Sequence, residues 1–170
     1  MLSLGWHLNG LDKERPTVVG IATGMVAGLA TITPAAGTVG PEGALLIGLL
    51  AGAVCYYATQ AIKGVFGIDD SLDVFPVHGV GGMLGIILLS FVGTPGGFLG
   101  SGASGIAEGG PMVQLVIQLK GILVIALWTA VATWIILKVI GLVTDLRVSE
   151  ESENEGLDVT EHEERSYDLS

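Results

Sequence analysis

The sequence predicts an all-α, polytopic transmembrane helical bundle: about four spanning helices followed by a polar, acidic tail. Three observations carry this prediction. Half of the 170 residues are hydrophobic, and the mean hydropathy is +0.69. Only 14% are charged, against roughly 25% in an average soluble domain. The uncharged runs, divided by Gly- and Pro-containing breaks, are long enough to cross about 30 Å of hydrocarbon at 1.5 Å per residue.

The first span is expected over residues 16–33, with Pro16 in the opening helical turn and Pro34 marking the end. The second covers residues 43–65, after a Gly40-Pro41 turn. The third covers residues 73–92. The fourth, residues 111–143, is longer than a perpendicular crossing needs, so it should tilt or project from the bilayer. Between the last two, residues 93–110 are rich in Gly and Ser and read as an irregular loop outside the membrane. Residues 1–11 have no cationic start and read as the last turns of a helix, with Trp6 suited to an interface, rather than as a secretory signal.

Charge divides the chain into residues 1–144, a transmembrane region, and residues 145–170, an acidic tail. The formal net charge is -10, and the tail holds ten acidic residues against Arg147 and Arg165, a net of -8. Such a tail excludes nucleic acid as a partner and is repelled by anionic lipid. Lys13, Arg15, Lys63, Lys138 and Arg147 all fall at span ends on the tail side, and only Lys120 lies nearer the other. The positive-inside rule therefore makes the tail cytoplasmic, in a multi-pass protein of the plasma or inner membrane.

The glycines are spaced for helix packing: Gly20, Gly24 and Gly28, then Gly48 with Gly52, and Gly81 with Gly85. Small residues four apart let backbones approach closely in lipid. Cys55 is the only cysteine, so the chain offers neither an internal disulfide nor a Cys-based metal site. No cofactor is expected.

The chemistry concentrates in Asp69-Asp70-Ser71-Leu72-Asp73-Val74-Phe75-Pro76-Val77-His78-Gly79-Val80-Gly81-Gly82. An ionisable group inside a span is expensive and usually faces a cavity, a pathway or a partner. On an α-helix, Val74 and Gly82 lie four residues either side of His78, on one face. That face offers an apolar strip, one polar ring and open space, suited to a small, weakly polar molecule. The competing reading is an interhelical hydrogen bond made by the ring. Asp69, Asp70 and Asp73 sit at the cytoplasmic end of this span, where a carboxylate is stabilised by the dipole and can cap free N–H groups; a part for Asp70 in shaping the pathway is the alternative.

This stretch resembles the signature of the penultimate helix of the ammonium transporter (Amt/Mep/Rh) family. Thr33-Pro34-Ala35-Ala36-Gly37, with Gly40 and Gly43-Ala44-Leu45, resembles the segment before it. Leu146-Arg147-Val148, Glu155-Gly156-Leu157-Asp158 and His162 resemble the family's cytoplasmic tail. The resemblance implies a homotrimer in which each complete subunit has its own pore through eleven helices. Two inverted five-helix halves build that pore, and the eleventh helix packs outside. This chain would supply the last four helices and the tail. His78 would be the second of two lumenal histidines, whose partner lies on helices outside this chain. His7 and His162 cannot replace it.

The resemblance also implies ammonium as substrate, deprotonated so that ammonia crosses a dry lumen where a bare cation cannot. The reaction is transport, and the chain is not an enzyme. The tail would pack beneath neighbouring subunits and respond to a PII-type signalling protein, with Gly156, Asp158 and Tyr167 among its structural residues. Glu163 stands where the family commonly has Gly. Two other readings stay open on the residues: a non-conducting truncated membrane subunit that assembles with or regulates others, and an unrelated transporter half with a proton-relay histidine.

Overall fold

The computed structural model describes residues 18–93 and 109–164. They divide into two units, the boundary falling between Leu123 and Val124. Among the described residues the chain is helical throughout its ordered elements, and four helices are long and apolar enough to cross a membrane: Val18–Ala35, Pro41–Val65, Phe75–Val92 and Pro111–Ile140. The expected element at residues 1–11, the loop core at 94–108 and Tyr167 lie outside the described residues.

In the first unit, helix α1 runs Val18–Ile32. The residue before a proline resists the α conformation, and the chain tightens into a 3-10 turn over Thr33–Ala35. The Thr33 hydroxyl donates to the Leu29 carbonyl at 2.6 Å, closing off the helix end. Helix α2, Pro41–Gln60, has Pro41 at its start, where a missing N–H costs nothing, and Glu42 in its first turn against the positive end of the dipole. It continues into a π-helical turn, Ala61–Val65. The chain then reverses through Gly67 at φ +61, and the Ile68 N–H donates to the Ile62 carbonyl at 3.0 Å.

The third span corrects the sequence expectation in two ways. Asp73 lies outside it, with φ +57. The segment Phe75–Val80 is a π-helical turn, and the α-helix α3 covers only Gly81–Val92. The regular α spacing that would align Val74, His78 and Gly82 is therefore interrupted: a π-turn closes over five residues, widening the turn and rotating the residues after it.

Helix α1 packs against α2, α3 and the second π-turn, and that turn also packs on α2. The inward positions are mostly small, with Gly24, Gly28, Gly48, Gly52, Gly81 and Gly85 all buried as the spacing predicts, while Gly20 is only half-buried. Ala27, Cys55 and Val77 meet in one cluster, Ala35, Ile47 and Leu89 in another. The tightest approach is at Gly85, where a Cβ would run into the Thr31 carbonyl oxygen. That atom is backbone and cannot swing away. Gly85→Ala is therefore expected to cost about 3 kcal/mol, at the upper end for overpacking. The check is the thermal transition of the detergent-solubilised chain, which should fall for Gly85→Ala and hold for Gly82→Ala, where a Cβ meets open space.

Helix α4, Pro111–Ile140, crosses the boundary between the units. Its apolar residues point in every direction and most are exposed, Trp128 at 72% and Trp134 at 62% among them. A helix apolar all round belongs in a membrane or a protein interior. In the second unit, the chain leaves α4 through a turn in which the Thr144 N–H donates to the Ile140 carbonyl. Two short helices come next, α5 over Glu150–Glu155 and α6 over Leu157–Thr160.

Candidate functional site

Val74, Phe75 and His78 are exposed, while Pro76 and Val77 between them are buried. The π-turn thus seats one side against α1 and α2 and leaves the His78 side uncovered. Val74 is 53% exposed, and a Cβ on Gly82 would have nothing within 4 Å. The Phe75 ring lies over Gly79, 3.0 Å from where a Cβ would stand, so Gly79 makes room for it. Among the described residues the imidazole makes no hydrogen bond or ion pair. The interhelical hydrogen bond weighed as the alternative for His78 is not formed among the described residues.

Capping falls to Asp70. Its two carboxylate oxygens accept the Val74 N–H at 2.9 Å and the Phe75 N–H at 2.8 Å. A carboxylate held by two amides at a helix N-terminus satisfies donors that nothing else would reach. Asp73 does something else: its Oδ1 lies 2.7 Å from the Lys63 Nζ, and its side chain is only 15% exposed. The pair is close enough for charge attraction but is not aligned as a hydrogen bond. Its backbone stays in the left-handed region, which few non-glycine residues adopt. Sequence reasoning missed Lys63 as a structural partner. The available signal was a single Lys at the end of one span, facing three Asp across a short return containing Gly64 and Gly67.

A cavity of about 470 Å³ opens between α1, α2 and the second π-turn, with Thr23, Tyr56, Gln60, Lys63, Asp73 and Val77 in its wall. His78 is not among the residues that line it.

In the tail, Arg147 donates to Glu153 through Nε at 3.0 Å and Nη2 at 3.2 Å, a two-point contact. The Ser149 hydroxyl accepts from the Ser152 N–H at 3.1 Å and caps α5. Gly156 separates α5 from α6 at φ +108, a conformation that L side chains rarely adopt. Asp158 falls in the first turn of α6. Glu163, standing where the resembling family has Gly, holds φ +54. It takes up a glycine-favoured conformation without being glycine. Leu157 is exposed and Val159 half-buried.

A family model described as the Ammonium Transporter Family matches residues 3–167. An ammonium transporter of Aquifex aeolicus is 44% identical over 168 residues, covering 98% of this chain and 38% of that protein. One of Bacillus subtilis is 37% identical over 164 residues, covering 96% of this chain and 40% of its own length. Among solved structures, a Sensor Amt Protein superposes with a TM-score of 0.77 at 30% identity, covering 91% of this chain and 37% of that one. Mep2 of Saccharomyces cerevisiae superposes at 0.71 with 32% identity, over 86% of this chain and 34% of that one. The chain spans about two fifths of the length of the curated relatives it matches. With four apolar helices of spanning length and a match over almost its whole extent, it is a multi-pass membrane protein that belongs to the ammonium transporter family.

Proposed function

We propose that this chain forms one half of the wall of a transmembrane pathway for ammonium and ammonia, with His78 as its lumenal polar group. The observation that carries the reading is the uncovered face of the second π-turn. An imidazole inside a span is presented beside exposed Val74 and open Gly82, with no partner within the described residues. Such a group is retained in a membrane where something passes it or pairs with it.

The chemistry fits a small amine. Ammonium carries a charge that a dry apolar lumen penalises heavily, and ammonia does not. A neutral imidazole can accept or donate one hydrogen bond. His78 therefore holds ammonia, or relays its proton, while Val74 keeps the neighbouring wall apolar. Asp70 contributes by fixing the start of the turn that carries both. No bond other than N–H is made or broken, so the function is transport. The complete protein is a homotrimer with one pathway per subunit, and the tail, residues 145–170, is cytoplasmic and available to a PII-type signalling protein. The Lys and Arg distribution supports that orientation.

The test joins this chain to the preceding part of the Aquifex aeolicus relative, giving a completed protein. Uptake of methylammonium by transporter-deficient cells expressing it is the expected result. An enzyme active only outside the cytoplasm, fused after Ser170, should stay silent. Absent uptake from a correctly inserted protein would refute the pathway, and strong external activity would reverse the orientation.

A further inference from the structure

We infer that Lys63 is a positioning residue for His78: its ion pair with Asp73 holds the backbone turn from which the second π-turn starts, and so sets the direction in which the imidazole is presented. The inference rests on the pathway reading of His78.

Four features of the first unit point to this. Asp73 is a non-glycine residue at φ +57, and residues held in sparsely populated backbone regions persist only where their surroundings over-determine them. The surroundings here are two carboxylates with separate tasks. Asp70 holds the amides on the downstream side, at Val74 and Phe75. Lys63 holds the side chain of Asp73 itself, at 2.7 Å. Asp73 is also the first link of the turn, because its carbonyl accepts the Val77 N–H at 3.0 Å, and Val77 is the buried neighbour of His78. A rotation at Asp73 therefore carries the imidazole with it.

The pair also ties two spans together. Lys63 belongs to the π-turn that ends the second span, Asp73 immediately precedes the third, and eight residues of turn and extended chain separate Val65 from Val74. With the Asp73 side chain at 15% exposure and that of Lys63 at 41%, the charges are partly withdrawn from water, and their attraction is screened less than that of a surface pair. Both line the cavity that His78 does not. Lys63 thus acts on the pathway through Asp73 and not by touching the passing solute.

The experiment has two arms. In the completed protein, Lys63→Gln and Asp73→Asn are each expected to change the ratio of ammonium to methylammonium transport about fivefold, which corresponds to about 1 kcal/mol. Exchanging the charges, Lys63→Asp with Asp73→Lys, should bring the ratio most of the way back. Lys63→Arg, which keeps the charge, should leave it near the starting value. In this chain alone, held in lipid nanodiscs, amide hydrogen exchange over residues 74–80 should quicken about fivefold in Lys63→Gln by the same measure. A residue that merely supported folding would lower yield without moving the ratio. Unchanged exchange and unchanged selectivity in both single variants would overturn the inference, as would equal losses in Lys63→Arg and Lys63→Gln. Should the completed protein not transport, the pathway reading fails on its own, and unchanged exchange over residues 74–80 would still overturn the positioning of that turn.

Discussion

Liposomes holding this chain alone are expected to take up no methylammonium above the protein-free background, while liposomes holding the completed protein take it up readily. The reason lies in the uncovered His78 face. Val74 is 53% exposed and His78 is exposed, so the wall that should lie opposite them is not supplied by the described helices of the first unit. A pathway for a cation-derived solute needs a wall on all sides, because acyl chains that meet an open half-wall refill it with hydrocarbon. An ammonium ion then faces the desolvation cost of bare lipid. Background leak of neutral methylamine is common to all vesicles and is subtracted. Saturable uptake by the chain alone, at a rate like that of the completed protein, would show that copies of this half close a pathway among themselves. It would replace the half-wall reading.

Gly156→Asp in the completed protein is expected to lower transport several-fold while the trimer still forms. Gly156 sits between α5 and α6 at φ +108 and ψ +124, a region that is close to glycine-only. Its carbonyl accepts from the Val159 and Thr160 amides, at 3.1 Å each, and from the Thr160 hydroxyl at 3.1 Å, so α6 is built directly upon it. An aspartate forced to that φ costs about 1–3 kcal/mol, more than a four-residue helix can offset, and α6 should be lost. Leu157 and Val159 would then no longer be presented together. The acidic side chains of Glu150 and Glu151 are exposed in the first turn of α5, where water screens them, so neutralising both should change uptake little. Uptake and trimer yield are measured together for these variants and for a deletion after Val148. Wild-type transport in all of them would make the tail a solvated appendage.

The fold was largely legible because membrane spans are written in long apolar runs, and a run survives errors of a few residues at its ends. Glycine spacing was equally legible, since Gly24, Gly28, Gly48, Gly52, Gly81 and Gly85 are buried where helices meet. The π-turns at Ala61–Val65 and Phe75–Val80 were not. An extra residue in a turn leaves the hydropathy of a span unchanged, and periodicity across six residues cannot separate four-residue from five-residue closure. For the same reason the sequence placed Asp73 inside the helix, whereas its left-handed φ puts it just outside. Three aspartates in five residues announced a helix start but not which one would cap it. That choice depends on where Lys63 arrives from another span, which is tertiary information. The glycine-like turn at Glu163 was hidden because its side chain argues for a different conformation from the one its backbone adopts.

Whether His78 faces the passing solute is tested most directly by the ammonium-evoked current and matched uptake of the completed protein in liposomes, compared with His78→Ala. Removing the imidazole deletes the one polar contact offered on that face. The loss of a single hydrogen bond, worth about 1.4 kcal/mol, corresponds to about tenfold in rate or selectivity. A change of that size is expected in His78→Ala, with trimer assembly intact as the control for folding. Transport by His78→Ala at the wild-type rate and with wild-type selectivity for ammonium over methylammonium would contradict the lumenal role, and would leave His78 as a residue that only packs against the other half.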